Sequence, residues 1–349
     1  MFSLKKTFAT GLSIGLLLTA AVIAAAWTYI RYDANTLRKV RARGELLCGV
    51  NTGLPGFSNP DAQGNWSGFD VDFCRALAAA IFDDPKKVKF VPLDASERFR
   101  ELRDRKVDVL SRNSTWNLSR ELGFGLHFAA VSYYDGQGFM IRRAKKADTA
   151  LELDGSKICM QTGTTTQRNL ADYFRTNNMK YQEVRFDKLE DVVKNYDSGQ
   201  CDVVTSDVSQ LYAQRLKLAK PGDHVILPDV ISKDPLAPVV RHKDDDWLLL
   251  VKWTFFAMLN AEELGITSKN IEAAMKSTKP EVMRFVGNEG SYGQDMRLTK
   301  DWAARVIRHV GNYGEVFERN LGSESPLGIP RGLNQLWNNG GIQYAPPIL

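Results

Sequence analysis

Residues 107–113 read VDVLSRN and residues 201–207 read CDVVTSD. Each is a short apolar run that breaks into polar residues at its carboxyl end, the mark of a buried strand emptying into a loop. Each also follows a helix-like stretch and a turn: Glu97–Arg103 before the first, Leu189–Tyr196 before the second. Upstream of residue 107 the pattern continues backward as strand Val88–Pro92, a helix opened by Asp70 with Val71, Ala78 and Ile81 on its apolar side, and strand Glu45–Asn51. A short basic helix, Leu37–Arg43, precedes it. Upstream of residue 201 the same order recurs as strand Val184–Phe186, helix Thr166–Phe174 and strand Lys157–Gln161. Two β-α-β-α-β runs predict an α/β chain with two open, mostly parallel, right-handed sheets. Ligands of such sheets sit at the carboxyl ends of the strands, where both quoted stretches turn polar.

With 349 residues, 44% of them hydrophobic and 25% charged, the chain has room for two packed units. Lys5 and Lys6 supply two of the net +5 charges, and no basic tract with interleaved aromatics marks a nucleic-acid surface. Behind those lysines, Phe8–Ala26 is apolar or small throughout and ends in Ala24-Ala25-Ala26. This reads as a secretory leader with a cleavage site before Trp27, and so as an exported, periplasmic chain. The run from Phe8 to Ile30 is also long enough for an uncleaved anchor. Cys48, Cys74, Cys159 and Cys201 fall two early and two in the middle, which fits one disulfide per unit, Cys48–Cys74 and Cys159–Cys201. Four buried thiols are the other reading of the same spacing.

Catalytic signatures are thin. His127, His224, His242 and His309 have no metal-ligand spacing, and the sequence has no nucleophile elbow, phosphate loop or H-E-x-x-H. No metal and no cofactor is expected. Binding is better represented. A free α-amino acid offers a carboxylate that suits an arginine fork and an ammonium that suits a carboxylate. Arg120 follows the first polar strand end by a few residues, although a lone arginine is also a common solvated side chain. Gly163-Thr164-Thr165-Thr166 joins a strand to a helix, where hydroxyls cap and free N–H groups can take an anion. Asp207 ends the second polar strand, as an ammonium partner or as a plain cap for the helix from Val208.

Several segments together resemble the extracellular solute-binding proteins of family 3. They are Gly68-Phe-Asp-Val-Asp72, Thr115 to Arg120, Tyr134-Asp-Gly-Gln-Gly138, Gly163–Thr166 and Cys201 to Asp207. Trp253 to Gly265, Gly311 to Asn320 and Arg331 to Pro347 are similar to the long variant, general L-amino-acid-binding periplasmic proteins of ABC transporters. The resemblance implies a two-lobe, type II periplasmic-binding-protein fold, each lobe an open sheet flanked by helices, with a two-segment hinge. Its expected layout is a leader over 1–26, lobe 1 over 37–140, lobe 2 over 144–231, and a return with a C-terminal extension over 240–349. The hinges fall near 139–143 and 231–240.

Carried over by position, Thr115 and Arg120 bind the carboxylate, Thr164 and Thr165 lend backbone donors, and Asp207 takes the ammonium. Asn113 lends a carbonyl to the ammonium, and Phe57 stacks beneath the ligand. Where many relatives carry an aromatic or large apolar residue, this chain has Ala95, which suggests a roomier pocket and broad specificity. The implied partners are an L-amino acid and the membrane permease of an ABC importer, with a monomeric state. The alternative from another class is a periplasmic enzyme on the same fold, a cyclohexadienyl dehydratase.

Overall fold

The computed structural model describes residues 35–349, together with Thr19. The leader expected over residues 1–26 lies outside the described residues, Thr19 apart. Among the described residues no helix is long and apolar enough to cross a membrane.

Helix α1 (Thr36–Arg43) leads into β1 (Leu46–Val50). A small ribbon of β2 (Asn59–Pro60) and β3 (Trp66–Ser67) precedes α2 (Phe69–Phe82), β4 (Val88–Pro92), α3 (Arg98–Arg103) and β5 (Val109–Leu110). Next come α4 (Leu118–Phe124), β6 (Leu126–Phe128), β7 (Tyr133–Asp135) and β8 (Gln137–Arg142). The second run consists of β9 (Lys157–Gln161), α5 (Thr166–Thr176), β10 (Gln182–Phe186), α6 (Leu189–Asp197), β11 (Val203–Asp207), α7 (Val208–Arg215) and β12 (His224–Ile226). The chain returns through β13 (Asp234–Leu236) and β14 (Val239–Arg241) into the long helix α8 (Asp245–Glu263).

The strands form two five-stranded sheets, β4-β1-β5-β14-β6 and β10-β9-β11-β8-β12. In each, the first three strands are parallel and the fourth runs antiparallel to the third. In each sheet that fourth strand is the first to follow a crossing: β8 opens the second sheet after β7, and β14 rejoins the first sheet after β13. Between the sheets the chain crosses twice, and the two crossings pair as an antiparallel ladder, Asp135 opposite Asp234 and Tyr133 opposite Leu236.

This placement corrects the expectation for Phe139–Arg143. Instead of leaving the first sheet, β8 pairs along its whole length with β11, from Gln137 opposite Asp207 to Ile141 opposite Val203. Phe139, Met140 and Ile141 are fully buried in the second unit. The chain therefore crosses one strand earlier, at Tyr133–Asp135. In the other expected connection, Ile231–Val240, β13 makes the crossing and β14 already belongs to the first sheet. Asp70 also differs from expectation. Gly68 is the N-cap of α2, and the Asp70 carboxylate instead accepts from Ser111 Oγ and Asn113 N, both at 3.0 Å.

Both disulfides form: Cys48 of β1 to Cys74 of α2, and Cys159 of β9 to Cys201 just before β11. Each ties a strand to the element packed on or beside it. Closing chain loops of this size removes on the order of 3–4 kcal/mol of denatured-state freedom apiece.

Beyond α8, short helices α9 (Ile271–Ala274), α10 (Pro280–Val286) and α11 (Tyr292–Asp295) precede α12 (Trp302–Val310) and α13 (Tyr313–Asn320). Helix α12 lies against α2 and α8. Fully buried alanines, Ala76 and Ala80 on α2 with Ala303 and Ala304 on α12, let the backbones approach. The C-terminal stretch thus completes the core of the first unit. Its last part also reaches the crossing. The Asn334 side chain accepts from Tyr134 N at 2.7 Å and donates to Tyr134 O at 3.1 Å, so it completes the free edge of β7 as a strand would.

Candidate functional site

The carboxyl ends of the two parallel trios face one another across the crossing ladder. On the first side, β5 runs into Ser111-Arg112-Asn113-Ser114-Thr115, and α4 follows. Asn117 caps α4 by accepting from Arg120 N at 2.9 Å, which fixes Arg120 in the first turn. Its guanidinium folds inward, donates from Nη1 to Thr115 O at 2.9 Å and lies over the Phe99 ring. Arg120 is 8% exposed. Burial lowers its pKa, while the charges of Asp207 and Asp234 work in the opposite direction.

On the second side, Asp207 ends β11 and stands at the N-cap of α7 without making a side-chain cap bond. It accepts instead from Gln210 Nε2 at 2.7 Å. Burial, then the charges of Asp135 and Asp234, push the Asp207 carboxyl well above its ordinary range, opposed by the Gln210 bond and by Arg120. Arg120 and Asp207 therefore sit in each other's field at a buried junction. That is the arrangement that can take the two ends of a zwitterion.

The remaining expected residues divide. Thr115 is buried, but its hydroxyl is committed, donating to Asp234 Oδ1 at 3.0 Å. Thr164 Oγ1 donates to Gln161 O at 2.9 Å and accepts from Thr166 N at 3.3 Å, so Thr164 performs the capping that Thr165 does not. Thr165 Oγ1 turns to Asp234 Oδ1 at 3.1 Å. Asn113 has φ of +33° and is pinned by Asp70 and by Asn51 Nδ2 at 3.1 Å. Phe57 is buried edge-on against Phe69 and Tyr133, with ring centroids 6.3 and 5.8 Å apart.

Three residues that the sequence reading passed over belong to the same junction. Asp234 and Asp135 come together only through the crossing ladder, which no short-range pattern announces. The one local hint is Pro235, which holds the preceding residue extended. Arg98 looks like a surface residue of a short helix, yet it is 2% exposed. It donates from Nε to Ser114 Oγ at 3.1 Å and from Nη1 to Ala95 O, and Nη1 also lies 3.5 Å from Gly163 O on the opposite side. Burial, then the neighbouring Arg112 and Arg120, hold its pKa well below the usual arginine range. Among the described residues no group of three or more His, Cys, Asp or Glu could hold a metal ion.

Comparison with known proteins agrees with this architecture. The profile of the bacterial extracellular solute-binding proteins, family 3, matches residues 46–270. The chain is 56% identical over 318 residues to the general L-amino acid-binding periplasmic protein AapJ of Rhizobium johnstonii, covering 90% of this chain and 93% of that protein. It is 50% identical over 317 residues to the glutamate/glutamine/aspartate/asparagine-binding protein BztA of Rhodobacter capsulatus, covering 90% and 94%. A solved periplasmic binding protein of an ABC transporter from Brucella ovis, with glutathione bound, superposes with a TM-score of 0.89 at 55% identity, covering 90% of this chain and 99% of that one. The chain belongs to the bacterial extracellular solute-binding proteins, family 3.

Proposed function

We propose that this protein is the periplasmic ligand-capture component of an ABC importer for L-amino acids. It works as a clamp whose two sheet units are lobes closing about the paired crossings. One observation carries the reading: Arg120 and Asp207, opposite charges from the polar ends of two separate sheets, face the same buried junction. Arg120 and the main chain around Thr115 take the α-carboxylate, and Asp207 takes the ammonium. The N-terminal turn at Thr164–Thr165 supplies further N–H donors, and Phe57 walls the first lobe. Asn113 lends its carbonyl to the ammonium.

A ligand that touches both lobes favours the closed form by its differential affinity, and the closed form is what a permease reads. Export by the leader places this capture outside the cytoplasmic membrane. Ala95, small where a larger side chain would fill the space, leaves room for varied ligand side chains. Among relatives, the names of AapJ and BztA support breadth across amino acids. Glutathione, the ligand in the Brucella ovis structure, carries a free ammonium and carboxylate on the α-carbon of its γ-linked glutamyl residue, so the same pair of charges would hold it.

The test is calorimetry with the common L-amino acids and glutathione on the wild type, Arg120→Ala and Asp207→Ala. Losing a charge-assisted hydrogen-bonding group weakens binding about ten- to hundredfold. The ligand-free melting temperature stays close to wild type. Unchanged affinity in both variants would remove the site, and steady product formation from a cyclohexadienyl amino acid would favour an enzyme instead.

A further inference from the structure

Asp234 stands where the returning crossing begins, 1% exposed. Its Oδ1 accepts two hydroxyls: Thr115 Oγ1 at 3.0 Å and Thr165 Oγ1 at 3.1 Å. Ser232 Oγ donates to the other oxygen. Thr115 follows β5 of the first sheet, and Thr165 opens the helix that follows β9 of the second. One carboxylate oxygen thus holds a hydroxyl from either side of the cleft. Thr165 is the N-cap of α5, a position where threonine ordinarily spends its hydroxyl on the helix, yet it makes no such bond. Both bonds exist together only while the two sides are in contact, because hydrogen bonds weaken beyond about 3.5 Å and an opening of even a few ångströms breaks one of them.

We propose that Asp234 is a latch: a positioning residue that stabilises the closed arrangement by joining Thr115 to Thr165 through one oxygen. The proposal rests on the clamp reading above. It goes beyond that reading in stating that the closed form has a holding contact that no ligand supplies. A latch of this kind acts after closure. Ligand enters the open form as before, and what changes is how fast it leaves.

The experiment pairs small-angle scattering of the ligand-free protein with stopped-flow binding, using each amino acid that calorimetry identifies as a ligand. Asp234→Ala makes the ligand-free protein more extended and raises koff about tenfold, with kon within about twofold of wild type. Asp234→Asn keeps an acceptor oxygen and restores both readouts, which a merely structural role for the side chain would not predict. Thr165→Val, which removes one hydroxyl and leaves the backbone in place, shifts the readouts in the same direction as Asp234→Ala and serves where that variant folds poorly. If amino acids bind but neither Asp234→Ala nor Thr165→Val changes koff or scattering, the latch is wrong. If no amino acid binds while Asp234→Ala still opens the ligand-free protein, the latch stands and the ligand assignment falls.

Discussion

Asp135 lies opposite Asp234 in the crossing ladder, and burial together with that neighbouring charge pushes its carboxyl up to about 7, against hydrogen bonds from Ser209 and Gly136 N. An unfolded aspartate ionises near about 3.9. Between about pH 4 and 7 the native protein therefore holds a proton that the unfolded chain has released, and stability falls as pH rises through that window. The slope within the window is at most about 1.4 kcal/mol per pH unit. Asp70, raised by burial to about 6, adds a smaller decline in the same direction. Asp135→Asn, which cannot ionise, is predicted to melt several degrees above wild type at pH 8 and to match it near pH 4, in ligand-free calorimetric scans. Parallel curves for the two proteins would mean that Asp135 titrates as if in water. This residue was not legible in the sequence, and the reason is physical: its pKa is raised chiefly by burial at the crossing, and secondarily by a charge 99 residues away across the ladder. Arg120 and Asp207 could be named as candidates because Asp207 closes one polar strand end and Arg120 follows another, and the family resemblance then assigned them roles.

Among elements, the β-α-β-α-β runs were readable from periodicity, and the disulfide pairs from their placement within those runs. What could not be read was where the first crossing ends and the second unit's first strand begins. Residues 138–141 are apolar or small and would be extended in either role, and only pairing with β11 distinguishes an interior strand from a linker. Tight contacts are equally silent in sequence. Gly68 has φ of +131°, and a β-carbon there would lie 2.1 Å from Phe57 O. Gly64 also has a positive φ, +84°, but nothing lies within 4 Å of its would-be β-carbon. Alanine at position 64 is predicted to cost about 1 kcal/mol for the left-handed backbone alone. Alanine at position 68 must in addition displace the backbone of Phe57 or the start of α2, and is predicted to cost about 3 kcal/mol or more. Denaturant titrations of the two variants decide. Equal losses would show that the Gly68–Phe57 approach is relaxed at little cost.

At the scale of the molecule, a few contacts bridge the two sheets, and in the proposed clamp they belong to the closed arrangement. Besides Asp234, Lys217 Nζ donates to Gly53 O at 2.6 Å, and Arg98 reaches toward Gly163 O. At Gly163 the backbones of the two sides also come close. Gly163 has φ of +70°, and a β-carbon on it would meet Ser96 Cα and N at 3.0 Å and Ala95 C at 3.2 Å, across the cleft. Those distances are short of ordinary contact, so a methyl group there acts as a prop that only the closed form feels. Gly155 makes the matching control, with φ of +73° and open space around its would-be β-carbon. Both alanine variants bear the same left-handed strain whether the protein is open or closed, so that cost cancels from the binding equilibrium. Only Gly163→Ala bears the added clash, which disfavours closure around bound ligand and raises the apparent Kd accordingly. Gly163→Ala is predicted to bind amino acids about tenfold more weakly than Gly155→Ala, with similar ligand-free melting temperatures. If the two variants bind alike, ligand capture does not require the approach of Gly163 to Ala95 and Ser96, and closure must be smaller than a clamp on both ends of a zwitterion demands.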